Sequence, residues 1–105
     1  MNSFDEIWRY IQTNLKPEMK IKNWTVLKGN LKDTMTIKRV NDHSVQVDPP
    51  KAKNLQVVPK EDFEIVWEVW SDYKSQKVKR YEIRNMTWKS KYIISILHWY
   101  EQLHE

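Results

Sequence analysis

The hydrophobic period of this chain changes twice, and that constrains its fold more than any other feature. Phe4, Ile7, Trp8, Ile11 and Leu15 recur at helical spacing, the stretch from Met19 to Val58 breaks into short alternating runs, and helical spacing returns after Pro59. A strand buries alternate residues and a helix buries a stripe three or four apart, so the two periods cannot share one element. The order helix, strands, helices predicts an α+β domain. It would have an N-terminal helix, a small antiparallel sheet of three or four strands, and two C-terminal helices packed on one face. At 105 residues the chain is long enough for one core without metal or disulfide support, and residues 1–105 are read as a single domain.

Local signals place the boundaries. Ser3-Phe4-Asp5-Glu6 reads as a capping box, and the first helix must stop before Pro17. Strands are expected over 21–27, 34–40, 44–48 and 55–58. Met35, Ile37, Val45 and Val47 alternate with polar neighbours, which implies one packed and one wet face. Asn41-Asp42-His43 is the expected hairpin turn, with Asn and Asp in left-handed geometry, and Gly29-Asn30 the turn before it.

After Pro59, Phe63, Val66, Trp67, Trp70 and Tyr73 form one amphipathic stripe, with Glu61 and Asp62 at the positive end of the helix dipole. A last helix carries Tyr92, Ile93, Ile96, Leu97, Tyr100 and Leu103 on one side, capped by Thr87 or Ser90. Ile65 and Ile94 fit neither stripe.

Between those helices the chain is basic and too polar to be core. Lys74 to Lys91 holds seven Lys or Arg against one acid, Glu82, a local charge of +6, whereas the whole chain is only +4. Lys and Arg neutralise phosphates, and helix N-termini orient on the backbone of DNA or RNA. Lys77, Lys79, Arg80, Arg84, Lys89 and Lys91 are the expected phosphate contacts, with Trp88 and Ser95 approaching sugar or base edges. In layout the region resembles a helix-turn-helix: Val78 to Arg84 as a short helix, Asn85-Met86 as the turn, and the final run as the reader, with Lys91, Ser95 and His98 on its outward side. The expected turn glycine is missing, and Val78 to Arg84 reads equally well as a strand. The competing reading is a solvated loop that compensates Glu64, Glu68 and Asp72, in surface pairs worth about 0–1 kcal/mol each.

Composition excludes several classes. There is no cysteine, so thiol catalysis, zinc ribbons and disulfide frameworks are ruled out, and one glycine cannot build a phosphate loop. His98 and His104 lie six apart, not at metal-binding i, i+4 spacing, and Ser44 and Ser90 lack a nucleophile elbow. Glu18-Met19-Lys20 matches an acid-x-Lys fragment of metal-dependent nucleases, too short to count. No catalysis and no cofactor are expected.

Six Trp residues supply a large apolar payload despite a mean hydropathy of −0.80. The first residues lack a signal-peptide pattern, and no apolar run nears the roughly 20 residues that span a bilayer, so a cytoplasmic protein is expected. The expected function is nucleic-acid binding, with duplex DNA as the expected ligand, through the segment from Lys74 to Ser95 and the N-terminus of the last helix. The alternative is a non-enzymatic interaction module or homodimer that uses the flank of Trp88, Tyr92 and Trp99.

Overall fold

The computed structural model describes residues 3–104; Met1 and Asn2 of the leader reading, and the Glu105 charge, lie outside them. The order of elements is α1 (Phe4–Asn14), β1 (Lys20–Thr25), β2 (Gly29–Val40), β3 (Ser44–Asp48), β4 (Gln56–Pro59), α2 (Lys60–Glu68), α3 (Trp70–Lys74), α4 (Arg80–Met86) and α5 (Ser90–Gln102). The fold is α+β, with a four-stranded antiparallel sheet in the order β1-β2-β3-β4. Among the described residues no helix is long and apolar enough to cross a membrane.

Helix α1 begins as its sequence dictates, with the Glu6 N–H donating to Ser3 Oγ at 3.3 Å. Its stripe of Ile7, Trp8 and Ile11 is buried. The helix is also pinned to the far hairpin: the Trp8 indole N–H donates to the Asp42 carbonyl and the Gln12 amide to Asp42 Oδ1.

The sheet buries one set of alternating side chains, Ile21, Met35, Ile37, Val45, Val47 and Val58, and leaves Lys22, Thr34, Thr36 and Gln46 on the wetter set. Full burial of such side chains is worth about 1.5–3 kcal/mol each, which sets the register once one face is covered. One turn expectation is corrected and the other holds by a different device. The β1–β2 turn is Val26–Lys28, and Gly29, at φ 68°, is the first residue of β2, paired with Thr25. Asn41–His43 does turn the chain from β2 to β3, but none of the three has positive φ. Asn41 works through its side chain, whose Oδ1 accepts from the N–H groups of His43 and Ser44 at 2.8 Å each.

Among the described residues four helices follow the sheet rather than two. The stripe from Phe63 to Tyr73 is interrupted at Val69, whose backbone (φ −109°, ψ 8°) ends α2 and starts α3. Past the break, Trp70 and Tyr73 pack on Trp24 of β1, with ring centroids 6.1 and 6.4 Å away, and Tyr73 Oη accepts from the Val26 N–H. The segment expected to stay out of the core contains α4, and Ile83 is its buried anchor.

Helix α5 is the central helix. Ile93, Ile94, Ser95, Ile96 and Leu97 are all buried, so five consecutive positions face protein and the helix has no wet side over that span. Ile94, outside the expected stripe, therefore belongs to the core, whereas Leu103 and Ile65 are exposed. The cap position is held by Lys89 rather than Thr87 or Ser90, without a side-chain bond of its own, but the Thr87 hydroxyl accepts from the Lys89 N–H, two residues on, at 3.1 Å while donating to Asp62 Oδ2.

Candidate functional site

The basic segment folds as a loop after α3, the short helix α4, and the turn into α5. Arg80 and Arg84 lie one helical turn apart on α4, and Arg80 Nη1 donates to Ser90 Oγ at 2.9 Å, which ties the start of α4 to the start of α5. Glu82, the one acid of the segment, accepts the Lys79 backbone N–H at 2.7 Å and so caps the helix instead of neutralising a side chain.

Among the described residues three ion pairs form, Lys38–Glu18, Lys51–Asp33 and Lys74–Glu101. None involves Lys77, Lys79, Arg80, Arg84, Lys89 or Lys91. The expected compensation by Glu64, Glu68 and Asp72 does not occur, and those three carboxylates are exposed. Burial pushes the Arg80 guanidinium below its ordinary pKa, partly opposed by Tyr73, with the Arg84 charge acting in the same direction as burial. It stays protonated at neutral pH regardless.

The six cations are not equivalent. Lys77, Lys79, Arg84 and Lys91 are exposed, while Arg80 is half-buried. Lys89 turns back to the sheet, Nζ donating to Gln56 Oε1 of β4 at 2.7 Å. Lys91 shares a shallow cleft with Lys51 and Asp33. Trp88, in the turn between α4 and α5, is 94% exposed, as the sequence suggested.

Ser95 is a correction: it is 1% exposed. Its hydroxyl accepts from the Trp24 N–H at 3.1 Å and donates toward the Lys91 carbonyl and Asn23 Oδ1, so it joins α5 to β1 and reaches no ligand. His98 stacks on Trp24 with centroids 4.0 Å apart, so Lys91, Ser95 and His98 do not form an outward reading face. With residues 93–97 all buried, the middle of α5 offers no reading face to a groove, and the helix-turn-helix layout fails there although helix α4, a turn and helix α5 do follow one another. The aromatic flank is also divided, because Trp99 packs against Tyr10 of α1, away from Trp88.

Sequence reasoning missed Lys28. It sits in the β1–β2 turn and lines a cavity of about 300 Å³ with Lys79 and Arg80, whose apolar wall includes Val26, Leu31 and Val78. Some fifty residues of chain separate these cations, so no local pattern could have joined them. Gln76, another lining residue, holds φ 66°, a left-handed position after α3 where glycine is the usual choice.

The other sequence candidates are dispersed. Glu18 pairs with Lys38, Lys20 Nζ donates to Thr36 Oγ1, and His104 packs against Tyr10 and Tyr100. Among the described residues no three His, Asp or Glu side chains converge on a metal position. No protein family, curated protein or solved structure matches this chain.

Proposed function

We propose that this protein binds nucleic acid, with DNA as the leading ligand, through the segment from Lys77 to Lys91, and that it acts by binding and not by catalysis. The reading rests on one observation: the six cationic side chains of this segment have no carboxylate ion-pair partner among the described residues, and the same segment carries an indole, Trp88, that is 94% exposed. An unpaired cation releases counterions from phosphate on binding, and an exposed aromatic ring beside it offers a stacking surface. Lys77, Lys79, Arg84 and Lys91 are the phosphate contacts in this reading, Arg80 and Lys89 lend charge from more constrained positions, and Trp88 stacks. Stacking favours an unpaired base over a duplex groove, and a cytoplasmic location would put the protein within reach of such strands.

The test is a salt-titrated binding assay with mixed-sequence DNA, offered as duplex and as single strand. Affinity should fall steeply between about 50 and 200 mM salt. Lys79→Ala with Arg84→Ala, both at exposed positions, should reduce the logarithmic salt slope by roughly 1.4–1.8, the equivalent of two phosphate contacts. No binding at low salt, or an unchanged slope, would refute the proposal.

A second reading is favoured by Leu55 and Val57, which stay exposed on and beside the edge strand β4. A protein partner or a second copy of the chain could cover that edge, and sizing would then show a complex whose formation is insensitive to salt.

A further inference from the structure

The cavity between the β1–β2 turn and the loop leading into α4 combines an apolar wall with a cationic rim, and the nucleic-acid reading uses only the rim. Its volume, about 300 Å³, lies at the small end of the range for ligand pockets, enough for a body on the order of ten heavy atoms. Val26, Leu31 and Val78 line it, with Lys28, Lys79 and Arg80, and no acidic side chain is among its lining residues.

We propose that this cavity binds a small amphiphilic anion, a short alkyl or single-ring body carrying one carboxylate or phosphate head. The apolar wall selects the body, since moving such surface out of water is favourable in proportion to its area. The rim selects the head. Arg80 is half-buried, its guanidinium donates to the neutral Ser90 hydroxyl, and no carboxylate lies within ion-pairing distance among the described residues. A partly desolvated charge without a counter-charge is costly, and an anionic head at the rim supplies one.

A nucleobase suits the cavity less well. The uncharged polar side chains that could read its edge are Gln76, Thr25 and the Tyr73 hydroxyl, and the last already accepts from the Val26 N–H. A base would lose hydration there without full replacement. The proposal shares Lys79 with the nucleic-acid reading and is told apart from it at Arg84 and Trp88, which carry that reading and do not line the cavity.

Amide NMR titration of the full chain with octanoate, octyl phosphate, octan-1-ol and octylamine tests it. Octanoate or octyl phosphate should produce saturable shifts centred on Val26, Leu31 and Val78, with Kd on the order of 1 mM for a ligand of this size. Whichever anion binds tighter identifies the head group. Octan-1-ol should bind at least about 10-fold more weakly, and octylamine more weakly still. The double variant Lys28→Gln with Lys79→Gln, both at exposed sites, should weaken octanoate severalfold without changing octan-1-ol, Arg80 keeping the remaining preference for the anion. Equal affinity for octanoate and octan-1-ol, shifts centred elsewhere, or displacement of octanoate by a mononucleotide at lower concentration would each overturn the proposal.

Discussion

Replacing Ser95 by Ala should weaken the fold and leave nucleic-acid affinity alone. One hydroxyl serves three groups at this site: the Trp24 N–H at 3.1 Å, the Lys91 carbonyl at 3.1 Å and Asn23 Oδ1 at 3.4 Å. Trp24 lies where the β1–β2 register shifts, between Lys22 and Trp24, and its N–H takes its bond from α5. Alanine removes that acceptor at a part-buried site, and an orphaned buried donor costs about 1–3 kcal/mol. Asn23, also buried, loses a partner at the same time. The loss should total about 2 kcal/mol, equivalent to roughly 10 °C in Tm for a domain of this size. Urea unfolding followed by tryptophan fluorescence would show a lower midpoint at unchanged m. Lys91→Ala, one turn earlier and exposed, should stay within about 0.5 kcal/mol of the parent. If Ser95→Ala shifted stability by less than about 0.5 kcal/mol, or reduced DNA binding at full stability, the reasoning that places this hydroxyl between α5 and β1 would be wrong.

Trp88→Ala should leave stability within about 0.5 kcal/mol, because the ring is almost fully exposed, yet weaken single-strand binding by about 1–3 kcal/mol in the same titration. Asn41→Ala removes an acceptor shared by two backbone N–H groups and should cost about 1–2 kcal/mol in denaturant unfolding. Ile94→Ala should cost about 2–5 kcal/mol and Ile65→Ala much less, a contrast that thermal unfolding of the two variants measures directly.

Periodicity and punctuation carried the fold class. Ser3, Pro17 and Pro59 act within a turn of where they stand, so the limits of α1 and the start of α2 were legible from neighbours alone. Alternation in β3 was equally local, and its limits came out as Ser44–Asp48. The basic segment and the exposure of Trp88 could be read for the same reason, since a charged run cannot be buried without partners and seven cations outnumber the one acid of the segment.

Tertiary packing decided the rest. Ser95, Ile94 and Thr87 carry no local mark of burial: Ser95 and Ile94 are buried because α5 packs on β1, α2 and α4, and Thr87 because it meets Asp62 of α2, neighbours that their own stretch could not announce. Val69 breaks a stripe that reads as one helix, and past it Trp70 and Tyr73 pack on Trp24, some forty-five residues earlier. The cavity beside Lys28, Lys79 and Arg80 exists only where a hairpin meets a helix start. Residue identities act over about one turn or one pleat, whereas burial and charge clustering depend on which distant surfaces meet, and that was settled by the folded chain.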